Sequence, residues 1–173
     1  ETTSFDGYVW LDPANAVIMA NNIAIALGDG NRYRVKYFKK QLVLLTTALQ
    51  AIKKDYDIRL ANCYNDSVVK VGAPDLNYLA AKYHFTPYYL DYFVLDDEYA
   101  QGKLNEIYQI MSKDGLTNFL ADDFLPAEIS TGVTGETGAV KVAFAPASNP
   151  TGTNYLDNLR QNLISLKTVL GCQ

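Results

Sequence analysis

Residues 31 to 64 constrain this chain more than any other stretch. Apolar or aromatic side chains fall at Val35, Phe38, Leu42, Leu45, Leu49, Ile52 and Tyr56, spaced 3, 4, 3, 4, 3, 4. That spacing is the seam of a helix that packs along its length against other helices. A second row of Tyr37, Leu44, Ala48 and Ala51 widens the seam, and Lys36, Lys39, Lys40, Gln50, Lys53 and Lys54 form the opposite face. Near the end of the chain, Leu156, Leu159, Leu163, Leu166 and Leu170 repeat the same 3-4 spacing, which makes the two seams natural partners.

Other helix signals surround this pair. Asp12-Pro13 reads as an N-cap followed by proline at the first helical position, opening a largely apolar and therefore buried helix that stops at Gly28. Pro74-Asp75 and Thr86-Pro87 repeat the start signal. Asp96, Asp97 and Glu98 sit where the first turn of a further helix favours negative charge, and Leu116 to Leu125 reads as one more short helix. Between residues 129 and 146 the glycine-rich run Thr131 to Gly138 and the alternating Val140, Val142 and Phe144 predict a β-hairpin. The expected fold is mainly α: one domain, residues 1–173, built as a bundle of four to six helices. An N-terminal arm (1–11) and a β/loop excursion (129–152) complete it.

Length and charge narrow the function. A chain of 173 residues buries a core without needing a metal. A net charge of −4 argues against a nucleic-acid partner, and no apolar run is long enough to span a membrane. The chain begins at Glu1 rather than Met, which points to a processed or trimmed form. Two cysteines, Cys63 and Cys172, each lie just past a predicted helix. A bond between them would close a loop of about 110 residues, worth roughly 4–5 kcal/mol in the chain-entropy model, and implies an oxidising, extracytoplasmic compartment.

Chemistry-bearing motifs are few. The one histidine, His84, lies between Tyr83 and Phe85 with no nucleophile motif beside it. With a single histidine and no Cys-x-x-Cys, no metal site is expected, and no cofactor loop stands out. Asp96-Asp97-Glu98 and Asp122-Asp123 are candidates for a hard cation or an acid/base pair, but acids also suit helix starts and solvated loops.

Two patterns point to recognition. Seven of the thirteen tyrosines lie between Tyr78 and Tyr108, which makes Tyr83, His84, Tyr88, Tyr89 and Tyr92 a candidate binding face. Residues 31 to 54 carry seven cations and no acid, whereas residues 91 to 128 carry nine acids against Lys103 and Lys113. Such segregation serves either neighbouring helices of one chain or docking on a partner, with Lys36, Lys39 and Lys40 as the candidate surface. The sequence therefore predicts a non-enzymatic, extracytoplasmic structural or interaction protein, such as a subunit of a surface assembly, with a protein partner or a second copy. The alternative is a secreted or periplasmic inhibitor of the immunity type. A small-ligand binder or enzyme using His84 ranks third.

Overall fold

The computed structural model describes residues 7–90, 97–122, 127–146 and 154–173. Two long helices come first, α1 (Pro13–Gly30) and α2 (Val35–Arg59). After them strands and helices alternate: β1 (Ser67–Val71), α3 (Asn77–Tyr83), β2 (Thr86–Leu90), α4 (Asp97–Asp114), β3 (Asn118–Asp122), α5 (Ala127–Thr137), β4 (Val140–Phe144) and α6 (Tyr155–Leu170). The four strands form one sheet in the order β2-β1-β3-β4, and every pairing is parallel.

The expected helical bundle is therefore wrong. The protein is α/β, with helices on both faces of a parallel sheet. Three segments read as helical or turn-like changed class. The run after Thr86-Pro87 is β2, where a proline is tolerated because the strand lies at the sheet edge. Leu116 to Leu125 contains β3, and the glycine-rich run Thr131 to Gly138 belongs mostly to α5. The predicted hairpin is replaced by α5 followed by β4, and β4 pairs parallel with β3 in register Asn118↔Val140 to Asp122↔Phe144. Residues 147–152 of the predicted excursion and residues 1–6 of the arm lie outside the described residues.

The two sheet faces bury separate cores. Val68 and Leu120 point to one side, where they meet Leu49, Ile52 and Tyr56 of α2, Leu79 of α3, and Leu159, Leu163 and Leu166 of α6. Val69, Val71, Phe119 and Ala121 point to the other, against Ile107 and Met111 of α4 and Val133 of α5. This side-by-side alternation is the period of a strand covered on both faces. The α2–α6 pairing includes the Tyr56 hydroxyl, which donates to the Leu159 carbonyl at 2.8 Å.

Two expectations about the first helices need correction. The helix that starts at Asp12-Pro13 does form, with the Asp12 carboxylate accepting from the Ala14 N–H at 2.9 Å. It runs through Gly28 to Gly30, however, and it is not buried: Ile18, Ile23 and Ile25 are each more than half exposed. Within α2 only Leu49, Ile52 and Tyr56 of the seam are fully buried. The hairpin end of the α1–α2 pair, the second half of α1 with the first half of α2, has no fully buried residue, and only the C-terminal half of α2 enters the core beside the sheet. Cys63 and Cys172 are joined, which fastens the segment after α2 to the segment after α6.

Candidate functional site

The order of strands determines where a site forms. From β1 the chain steps outward to β2 through α3 on one face. It then crosses back over β1 to β3 through α4 on the opposite face, and steps outward again through α5 to β4. Right-handed crossovers require this change of face when the direction of travel reverses. The reversal lies between β1 and β3, and open parallel sheets place ligand sites outside the carboxyl ends of the strands at such a switch point.

At that point lies a buried charged cluster. Lys70, the fourth residue of β1, is fully buried on the face it shares with Val68. Its ammonium donates to Asp122 Oδ1 at 2.7 Å and to the Ala73 carbonyl at 2.9 Å, and lies 3.1 Å from Asp75 Oδ1. The Phe144 ring centre is 5.5 Å from the same nitrogen. Asp122, the last residue of β3, uses its second oxygen to accept from the Ala73 N–H at 2.9 Å. Neither side-chain oxygen of Asp75 has a hydrogen-bond partner, although the residue is almost wholly buried. Lys70 therefore holds Asp75 by charge alone and Asp122 by charge and a short bond.

That imbalance shows in proton affinity. Burial, opposed in part by Lys70 and reinforced by the Asp122 charge, pushes the Asp75 carboxyl up to about 7. A carboxyl that binds its proton more tightly folded than unfolded stabilises the fold at low pH. Its contribution is complete below about 4 and is lost as pH rises to about 7. Replacing Asp75 with asparagine should remove this loss. The variant should gain on the parent progressively between pH 4 and pH 7, by on the order of 3 kcal/mol, and parallel thermal melts across that range check it.

Gly72 completes the cluster. It follows β1 with φ +133, and a Cβ placed there would lie 2.1 Å from Asp122 Oδ2. The Asp122 carboxylate fills the space that any side chain at 72 would need. Gly72→Ala should cost roughly 2–3 kcal/mol from backbone strain and overpacking, read as a fall in the thermal midpoint.

The side chains singled out in the sequence do not gather into one face. His84 ends α3 in the left-handed conformation (φ 60) and is exposed. It precedes β2 and so lies at the amino edge of the sheet, roughly 13–16 Å along the strands from the switch point. There it borders a cleft with Leu60, Tyr64 and Asp66. The Tyr83 hydroxyl donates to Asp57 at 3.0 Å. Tyr89 bridges elsewhere, accepting from the Leu76 N–H and donating to Asn77. Tyr88 packs on the opposite face, beside the α4–α5 core, and Tyr92 lies outside the described residues.

Lys36, Lys39 and Lys40 are exposed on the first half of α2. The acid-rich helix α4 covers the other side of the sheet, and among the described residues no ion pair joins it to the cations of α2. Asp96 and Asp123 lie outside the described residues. Asp122 is one of the acids flagged in the sequence, whereas Lys70, Gly72 and Asp75 were not flagged as site residues. The signal available for Lys70 was a lysine set inside the run Ser67-Val68-Val69-Lys70-Val71, because a lysine is almost never fully buried unless paired. Asp75 read as a helix-opening acid, yet α3 has no side-chain cap and Asp75 turns to Lys70 instead.

A family model for ZnuA, the periplasmic component A of a zinc-uptake complex, matches residues 1–169. The chain belongs to the ZnuA family. Among curated relatives, the zinc-binding lipoprotein AdcA of Streptococcus pneumoniae serotype 4 is 24% identical over 169 residues, covering 94% of this chain and 34% of AdcA. The chain thus spans about a third of the length of the curated relatives it matches. Solved structures share the ZnuA fold. The zinc-bound ZnuA-like domain of pneumococcal AdcA aligns with a TM-score of 0.81 at 22% identity, over 98% of this chain and 65% of that one. A mutant of the laminin-binding adhesin of Streptococcus agalactiae gives 0.82 at 21% over 98% and 65%.

ZnuA membership corrects the functional reading. The structural subunit and the immunity-type inhibitor are overturned, because the family is one of small-ligand binders for transport. The ZnuA family is not a family of enzymes, and the chain is not an enzyme. Its place is extracytoplasmic. No helix among the described residues is long and apolar enough to cross a membrane.

Proposed function

We propose that this chain is a substrate-binding protein of the zinc-uptake type, which captures a small ligand outside the cytoplasm and delivers it to a membrane permease. The family match over residues 1–169 carries this reading. The switch-point cluster of Lys70, Asp75 and Asp122 supports a ligand cleft at the carboxyl edge of the sheet.

Zinc is the cargo named by the family and by AdcA, and the donors of this chain do not fit it. Protein zinc sites draw mainly on imidazole and thiolate. The whole chain holds one histidine, placed at the opposite sheet edge, and both cysteines are consumed in the disulfide. No group of three or more His, Cys, Asp or Glu among the described residues could hold a metal ion. The two carboxylates at the switch point already share a lysine.

The transport role is tested by deleting the gene in its source cell and measuring the cell's content of zinc, manganese, iron and other solutes by mass spectrometry. Loss of one solute, restored by a plasmid copy, is the expected result. Parental accumulation of all of them, together with no permease recovered on the purified protein from solubilised membranes, overturns the reading.

A further inference from the structure

We infer that the ammonium of Lys70 is the resident cation of the switch-point cluster, held between Asp75 and Asp122 where a divalent ion would need to bind, so that the carboxyl edge takes up no zinc. The inference rests on the transport reading above and specifies its binding site.

Three observations converge. The first is saturation of the cluster. The ammonium donates to Asp122 Oδ1 and the Ala73 carbonyl at 2.7 and 2.9 Å, and its charge lies 3.1 Å from Asp75 Oδ1, so both carboxylates already share one cation. A dication bridging the same carboxylates would lie within a few ångströms of that positive charge, in an interior that screens it poorly. The second is the closed donor position. Residue 72 follows β1 directly beside the cluster, and the Asp122 carboxylate occupies the space of its missing Cβ. No donor side chain can be carried there while Asp122 keeps its bond to the Ala73 N–H. The third is the donor supply: His84 is at the far edge and no thiol is free.

The same geometry says what removing Lys70 would do. Lys70→Ala leaves two inward-facing carboxylates and a carbonyl oxygen around a space that held a cation. Oxygen donors of this kind suit hard divalent ions. A metal should then restore what the lysine supplied.

The test uses the whole chain, wild type and Lys70→Ala, with zinc, manganese and calcium chlorides as probes. Native mass spectrometry after dialysis reads retained metal, and thermal unfolding with each ion or with EDTA reads the energetic effect. The wild type should retain none of the three, and its melting point should not move. The Lys70→Ala melting point should rise by roughly 5–10 °C when an ion is in about hundred-fold excess over its Kd. If this variant folds only when one of the ions is present during refolding, that rescue supports the inference equally.

A wild type that retains an equivalent of zinc overturns the inference and leaves the uptake role standing. So does a Lys70→Ala protein that no ion stabilises or rescues. Conversely, a metal-free wild type whose deletion changes no solute content and which recovers no permease overturns the uptake role and leaves the assignment of Lys70 intact.

Discussion

Lys70→Met should lose about 3–5 kcal/mol of folding stability at pH 8, with the overall fold retained at low temperature. Methionine matches the lysine stem in length and is at home in the apolar surroundings of Val68, Leu120 and Phe144, so the loss comes from charge. The paired side chains of Lys70, Asp75 and Asp122 are all fully buried. Removing the ammonium leaves Asp122 with one backbone donor and Asp75 with none.

For a chain of this length the thermal midpoint should fall by roughly 6–20 °C, since each kcal/mol moves it by about 2–4 °C. The deficit should shrink as pH drops toward 4, because a protonated carboxyl is far cheaper to bury than a charged one. Replacing the whole set, Lys70→Met with Asp75→Asn and Asp122→Asn, should recover much of the loss, as happens when buried ion pairs are removed together. Equilibrium denaturation of the three proteins at pH 5 and pH 8 decides the matter. A single variant within about 1 kcal/mol of the parent at pH 8 would show that the lysine adds little beyond its own desolvation cost.

The long helices of this protein were legible from a seam or a cap, whereas the glycine-rich α5 was not. α2 and α6 carry the 3-4 spacing openly, and Asp12-Pro13 marks the start of α1 by the chemistry of the cap itself. The central strands were not legible, for a related reason. β1 and β3 are covered on both faces, so Ser67–Val71 and Asn118–Asp122 show neither alternation nor helical spacing. A short apolar run of this kind fits a buried strand or a buried helix turn equally well. β4 shows the converse. It lies at the sheet edge with Val140, Lys141 and Ala143 exposed, its alternation survives, and it was read as a strand. Its direction was misjudged because Gly132 and Gly135 look like turn residues, whereas packing of Val133 into the α4 side of the core holds them in a helix.

The site was harder to read than the fold. Asp122 was flagged as an acid but Lys70 was not linked to it, because 52 residues and a helical crossover separate them in sequence. Only the parallel pairing of β1 with β3, in register Lys70↔Leu120 and Val71↔Ala121, brings the strand ends together. Gly72 carried no local sign at all, since its constraint is the Asp122 carboxylate standing where a Cβ would be.

Breaking the Cys63–Cys172 bond should cost a similar amount by a different route. The two residues are 109 apart, and closing a loop of that size restricts the unfolded chain by about 4–5 kcal/mol. The folded chain does not depend on the bond for its local shape. The N–H groups of Tyr64 and Asn65 both donate to the Leu170 carbonyl, at 3.1 and 2.9 Å, and the Asn65 side-chain amide donates to the Val169 carbonyl at 2.9 Å. Gln173 N–H reaches back to the Asn62 carbonyl at 3.3 Å. These bonds hold the end of α6 against the segment after α2 with or without sulfur.

The Cys63→Ser/Cys172→Ser protein should therefore keep the parental near-UV circular dichroism and yet melt roughly 10–20 °C lower. Reduction of the parent with a phosphine should reproduce both results. The effect belongs to the unfolded state, so it should appear chiefly as slower folding if the two ends meet before the transition state, and as faster unfolding if they meet after it. A serine variant that melts within about 3 °C of the parent would mean that the unfolded chain already keeps its ends together without the bond.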